Sequence, residues 1–438
     1  MKTLIKLILI GLIAGSIYKY MTEKDIKVAE KGEMAFEWIS GKIEILKDAA
    51  MQDNLNDADE NSNKISSPGG CIEESYSSQP IMNTFSQDSR NTSSDLNESE
   101  HNCTAPVDDM SDAIKYNIMA KDESNIMILR ELDTYAINSP AEVENSIPDL
   151  VEYLTGHASD ELEIARLLFT WVATHIAYDD HGFNTGDYAD CSAEEVLRNR
   201  VSVCEGYSNL LVALGNRAGI NTVKISGYAK GIRYKQGDRI NETNHAWNAM
   251  MIDGVWRLID VTWAAGYGMG VNGRLVSVKQ FDDYWFNTEP AEFIFTHLPS
   301  DDSWQFLDKP VSQSLFESMP YASSDFFKLG FKGTSCLEGI VNGTLRHLPL
   351  AYNTDCELKL LSMPLDGVIE AGTAMKLLVQ SEMAESVALK NKGQWAYFEK
   401  KGNKFELTIR PEHGEMKLMA DFKGDGLPFH TVLKYRVE

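Results

Sequence analysis

The chain has 438 residues, with 41 Lys plus Arg against 65 Asp plus Glu and a formal net charge of -24. That length accommodates two or three domains of about 150 residues each, and 43% hydrophobic with 10% aromatic residues supplies at least one core, which excludes wholesale disorder. The acidic balance argues against a nucleic-acid partner, because such proteins concentrate positive charge to displace counterions. Six cysteines are too few for a disulfide scaffold, and no CxxC pair marks a zinc or other metal site.

Lys2 and Lys6 precede an apolar-or-small run from Leu7 to Ile17, and Tyr18, Lys19 and Tyr20 follow it. At about 1.5 Å per residue the run falls short of a bilayer core of about 30 Å. Residues 1–22 therefore read as a secretory signal peptide, with Ala14-Gly15-Ser16 as cleavage site, or as a membrane anchor whose Lys6 and Lys19 snorkel to the headgroups. Either way the expected location is extracytoplasmic (periplasmic or cell surface): membrane-anchored, or secreted if the segment is cleaved. Residues 23–112 begin with an imperfect apolar stripe, Ile26, Met34, Phe36, Ile39, Ile43 and Leu46, that predicts a helix. From residue 51 the chain is rich in Ser, Asn and acid, with only Lys64 and Arg90 basic. Such a stretch cannot bury enough apolar area to offset its ordering entropy and predicts a disordered, self-repelling linker. Cys71 and Cys103 lie inside it, without a catalytic signature around them.

Order is expected to return near Ala113, in a domain running from 113 to 310. Asp160 and Glu163 open a helix whose Leu162, Ala165, Leu168, Phe169, Val172 and Ile176 recur at helical spacing. Ser192 predicts the N-cap of a second helix reaching Arg198. A third carries Tyr207, Leu210, Leu211 and Leu214 on one stripe and ends at Gly219, which suits the left-handed position after a helix. Cys204 falls on the first turn of that helix, where unsatisfied amides and the positive dipole end favour a thiolate. The runs Asn244–Ile252 and Val255–Trp263 flank Asp253-Gly254, a strong signal for a two-residue hairpin turn. Pairing Ile252 with Val255 sets Trp247 opposite Asp260 and His245 opposite Thr262. His245 and Asp260 then share one face as diagonal neighbours about 7 Å apart.

A cysteine at a helix N-terminus, with a histidine and a carboxylate on one face of a later hairpin, is the set that nucleophilic acyl transfer requires. Cys204 attacks a carbonyl carbon, His245 takes and later returns the proton, and Asp260 orients the imidazole. Trp247 and Trp263 are candidates for lining the acyl-binding cleft. Glu205 reads as a helix N-terminal acid, and Cys191 as structural.

The segments Val203-Cys204-Glu205-Gly206-Tyr207-Ser208, Asn244-His245-Ala246-Trp247-Asn248 and Leu258-Ile259-Asp260-Val261-Thr262-Trp263 resemble the Cys, His and Asp motifs of the transglutaminase-like superfamily. The stretch from Trp171 to Asp179 is similar to the family's helix before the site, and Gly227–Gly231 to its strand between Cys and His. Phe286-Asn-Thr-Glu-Pro290 and Phe293–Pro299 resemble the kyphoscoliosis-peptidase branch. The resemblance spans about residues 130 to 435. It implies an α+β, papain-like fold with Cys204, His245 and Asp260 as catalytic residues, no cofactor and a protein or peptide substrate. Members include peptidases, cross-linking enzymes and inactive relatives.

Beyond Pro310 short apolar runs alternate with turn clusters such as Asn391-Lys-Gly393 and Lys401-Gly-Asn403, which predicts an antiparallel β-sandwich, Ig-like in kind, over residues 320–438. Cys336 and Cys356 are placed in strand candidates preceding it, as a candidate disulfide. The expected protein is thus an exported thiol enzyme that resolves a thioester with water, as a peptidase, or with an amine, as a cross-linker. A non-catalytic cell-surface or envelope adaptor is the alternative from another class. Oligomeric state is not legible in the sequence.

Overall fold

The computed structural model describes residues 123–271, 273–353, 358–422 and 429–438. The expectations for residues 1–22 and 23–112, and for Cys71, Cys103 and Cys356, lie outside these residues. Among the described residues no helix is long and apolar enough to cross a membrane.

The fold is α+β. Three helices open it: α1 (Glu123–Ile137), α2 (Ile147–Thr155) and α3 (Glu161–His175). Helix α3 begins where its acids place it, because Asp160 accepts from the amide of Glu163 at 2.8 Å and Glu163 reaches back to the amide of Ser159 at 2.7 Å. Strand β1 (Ala177–Tyr178) pairs in parallel with β2 (Val201–Ser202), and the helices α4 (Asp180–Thr185) and α5 (Ala193–Asn199) lie between them in sequence. Ser192 stands at the N-cap of α5, though its side chain makes no capping bond there. Helix α6 (Cys204–Arg217) follows directly, buries Tyr207, Leu210, Leu211 and Leu214, and is followed by Gly219 at φ 86.

Strands β3 (Thr222–Ala229), β4 (His245–Ile252) and β5 (Val255–Ile259) form the centre of a five-stranded antiparallel sheet. Asp253 and Gly254 both take positive φ, 52 and 75, so the β4–β5 turn is the predicted kind and pairs Ile252 with Val255 through to Asn248 with Ile259. The expected strand does not continue to Trp263. It stops at Ile259, and α7 (Val261–Ala264) begins, because the Asp260 side chain accepts from the amides of Thr262 and Trp263, both at 2.9 Å. Thr262 therefore does not lie opposite His245. A hairpin of β6 (Gly266–Val271) and β7 (Arg274–Lys279) follows, and then β8 (Phe286–Thr288), α8 (Pro290–Phe293) and β9 (His297–Pro299). The sheet order is β8-β5-β4-β3-β9. Helices α3 and α6 and this sheet share one apolar core that includes Phe169, Trp171, Leu211 and Met250.

After Pro310 the structure departs from the expected strands. Residues 313–341 form α9 (Gln313–Ser318), α10 (Ser324–Lys328) and α11 (Gly333–Val341). Phe316, Phe326 and Phe327 are buried by them, and the hydroxyl of Ser312 accepts from the amide of Leu315 to start α9. Cys336 is a buried free thiol on α11 rather than a strand residue.

Strands then follow, as β10 (Leu350–Ala351), β11 (Lys359–Ser362), β12 (Val368–Ile369), β13 (Met375–Gln380) and β14 (Ala384–Asn391). They continue as β15 (Gln394–Tyr397), β16 (Glu399–Lys401), β17 (Lys404–Ile409), β18 (Gly414–Phe422) and β19 (His430–Val437). One sheet has the order β10-β19-β18-β14-β15, with β12 added in parallel to β19; the other has the order β11-β13-β17-β16. Leu377, Val379 and Phe405 of the second sheet share a core with Val387, Leu418 and Val432 of the first. Phe295 and Leu298, beside and within β9, belong to that same core. The β9 region thus touches both.

Candidate active site

Cys204 is the first helical residue of α6 and is 2% exposed. Val203 precedes it as N-cap without a side-chain capping bond, so the helix dipole is not masked there by a capping side chain. His245 opens β4, and Asp260 stands between β5 and α7; both side chains are fully buried. The imidazole Nε2 of His245 lies 2.7 Å from Oδ2 of Asp260. Its other nitrogen, Nδ1, is buried without a hydrogen-bond partner. Cys204 acts electrostatically on this imidazole, and with Nε2 committed to Asp260, Nδ1 is the atom left to receive the thiol proton.

Electrostatics give the three groups distinct states. Burial disfavours charge on His245, but Asp260 and Cys204 outweigh it and push its pKa up to about 10. Burial would raise Asp260, yet His245 and His297 hold it well below the usual carboxylate range. A carboxylate in this position orients His245 and stabilises the imidazolium that holds the thiol proton.

His297, on β9, is a member of the site that sequence reasoning missed. It is fully buried, and its Nε2 lies 3.0 Å from the same Oδ2 of Asp260. Burial dominates at His297 and lowers its pKa to about 4. It is therefore a neutral imidazole whose Nε2–H donates to Asp260, while its Nδ1 sits 2.8 Å from the Thr296 hydroxyl. Phe293 stacks on it at 4.1 Å, and Trp247 and Trp263 lie at 5.1 and 4.4 Å. The signal available in the sequence was a histidine inside the apolar run Phe293–Pro299, where burial demands a polar partner. His245, Asp260 and His297 also present possible ligand atoms within 4.8 Å of one another and are, by type, a set that could hold a divalent ion. The geometry present is one carboxylate oxygen accepting from two imidazoles, which requires a proton on each Nε2.

Of the two tryptophans expected in the cleft wall, Trp247 is 1% exposed and packs on Phe293 and His297. Trp263 is half-buried, 5.6 Å from the His245 ring and edge-on to Trp285 at 4.9 Å. Glu205 pairs with Lys224 and points its charge into that ion pair. Cys191 is a half-buried free thiol.

Residues 148–261 match the family model of the transglutaminase-like superfamily. The chain carries a transglutaminase-like domain. The matched segment contains Cys204, His245 and Asp260 and ends before His297. Kyphoscoliosis peptidase of Mus musculus is 31% identical over 207 residues, covering 47% of this chain and 31% of that protein. Hillarin of Drosophila melanogaster is 30% identical over 216 residues, covering 46% of this chain and 25% of that protein. The chain thus spans about a quarter to a third of the length of these relatives. Among solved structures, red sea bream transglutaminase superposes with a TM-score of 0.21 at 11% identity, over 73% of this chain and 59% of that one, a likeness too loose to argue from.

The charge states predict a stability profile. His245 holds in the folded chain a proton that an unfolded chain releases near the ordinary histidine value of 6.5. Its contribution is complete below about pH 6.5 and is lost as the pH climbs through about 10. In His245→Gln the alkaline limb of stability is expected to flatten across that window, read by urea unfolding at a series of pH values. Parallel limbs in the two proteins would assign the alkaline loss to other groups.

Proposed function

We propose that this chain is a cysteine peptidase-like enzyme that acts on protein or peptide amides through a Cys204 thioester. The reading rests on one observation: His245 is pinned through Nε2 to Asp260 while its Nδ1 is buried, unpartnered and left to Cys204. A packing cysteine has no use for an imidazole held in that way. The proton of Cys204 rests on His245, and the thiolate attacks the carbonyl carbon. His245 then protonates the departing amine, and water opens the thioester. An amine in place of water would give a cross-link by the same steps; the similarity to kyphoscoliosis peptidases favours water. The apolar run Leu7–Ile17 with its flanking lysines supports an extracytoplasmic, membrane-tethered enzyme, and the two C-terminal sheets serve as an Ig-like binding or spacing module.

The test is alkylation by iodoacetamide of the full chain, read at the Cys204 peptide, wild type against His245→Ala. Fast labelling is expected to persist near pH ~6 and to fall by about 100-fold in the variant. Labelling that rises only around the free-thiol value of about 8.5, alike in both proteins, would leave a non-catalytic adaptor as the better description.

A further inference from the structure

Acyl transfer needs a donor for the oxygen that becomes negative, and the site holds a buried hydroxyl without a task. Tyr178 is 9% exposed, and its hydroxyl is buried with no hydrogen-bond partner. A buried, unpaired hydroxyl is costly and calls for an explanation. The backbone of Tyr178 is placed by strand pairing. Tyr178 in β1 lies in register with Ser202 in β2, and the amide of Asp179 donates to the carbonyl of Ser202 at 2.9 Å, two residues before Cys204. The ring is held against Phe183 at 6.2 Å. Burial and then the charge of Cys204 raise the pKa of Tyr178 well above its ordinary value, so the group stays a proton donor and lies within electrostatic reach of the thiol.

We propose that the Tyr178 hydroxyl and the backbone N–H of Cys204 together bind the oxyanion formed when Cys204 attacks a carbonyl group. The assignment rests on the acyl-transfer reading above. As the Sγ–C bond forms, the carbonyl π pair moves onto oxygen, which accepts from Tyr178 and from the first amide of α6. When that pair returns, the bond to the leaving group breaks, and His245 supplies the proton if the leaving group is an amine. In the resting enzyme the hydroxyl has no partner because its partner exists only during the reaction.

The experiment uses the full chain and p-nitrophenyl acetate, whose attack by Cys204 passes through a tetrahedral oxyanion. The burst of nitrophenolate and the acetyl group on the Cys204 peptide are measured in wild type and Tyr178→Phe, which keeps the ring. Alkylation by iodoacetamide, which builds no oxyanion, is measured beside them. Acetylation is expected to fall about 10²-fold or more in the variant, with alkylation changed no more than about threefold. Equal acetylation of the two proteins overturns the role of Tyr178 and leaves acyl transfer standing. A parallel fall in acetylation and alkylation also overturns it, since the hydroxyl would then support the thiol or the fold. Wild-type acetylation and alkylation that are both indifferent to His245→Ala overturn the acyl-transfer reading, and this assignment with it.

Discussion

An Asp260→Asn chain is expected to fold and yet to form its acyl-enzyme about 10⁴-fold more slowly than wild type. The carboxylate divides its work between two oxygens. Oδ1 accepts from the amides of Thr262 and Trp263, both at 2.9 Å, and starts α7. Oδ2 accepts from His245 at 2.7 Å and His297 at 3.0 Å. An amide has a single oxygen. If that oxygen stays with the backbone, its NH₂ meets both imidazoles, and His245 must accept at Nε2 and carry its hydrogen on Nδ1. That hydrogen then occupies the nitrogen that must take the proton of Cys204. The opposite orientation strips two backbone amides of their acceptor and sets NH₂ against two N–H groups, which is worse. The nitrophenolate burst measures the loss, and urea unfolding shows that the fold survives. A burst within tenfold of wild type would mean that Asp260 does not set the tautomer of His245.

The second large effect concerns stability. Arg166, 2% exposed on α3, donates through Nε and Nη2 to the two oxygens of Asp133 on α1, both at 2.7 Å. Its guanidinium also lies 5.2 to 5.8 Å from the ring centres of Phe169, Phe281 and Phe286. Burial opposes its charge, but Asp133 more than compensates, and its pKa is raised. Arg166→Ala removes one half of this pair and leaves the Asp133 carboxylate without this cation, with the Thr170 hydroxyl donating to it at 2.6 Å. The expected loss is about 3–5 kcal/mol, whereas Arg166→Met combined with Asp133→Leu recovers most of it. Urea unfolding of both proteins decides. A single substitution costing under about 1 kcal/mol, or a double variant no better than the single one, would refute the view that an abandoned buried charge sets the cost.

What could be read from the sequence follows from the range of the interactions involved. The β4–β5 turn was legible because Asp253 and Gly254 carry their own conformational preference, and the register of β4 on β5 follows from it. The start of α3 at Asp160 and the end of α6 at Gly219 were legible for the same local reason. Val261 and Thr262 are β-branched and read as strand, but the capping bonds of Asp260 prevail over that propensity. The helices over 313–341 were missed because their apolar residues serve a core shared with distant strands, so no single window shows the period. His297 was missed for a sharper reason. Its carboxylate partner, Asp260, lies 37 residues earlier in the chain, and the apolar run around His297 signals the need for a polar partner without saying which residue supplies it.

The place of β9 has a practical consequence. The segment that matches the superfamily ends at residue 261, and a chain shortened to it would keep Cys204, His245 and Asp260. It would lose β8 and β9, hence both outer strands of the five-stranded sheet, and with β9 the second imidazole on Asp260. A cut just after Pro299 restores those strands but strips Phe295 and Leu298 of the core they pack into. The smallest autonomous folding unit is therefore longer than its recognisable motif. Boundaries for expression, and for grafting this site onto other proteins, belong at the far end of the C-terminal sheets.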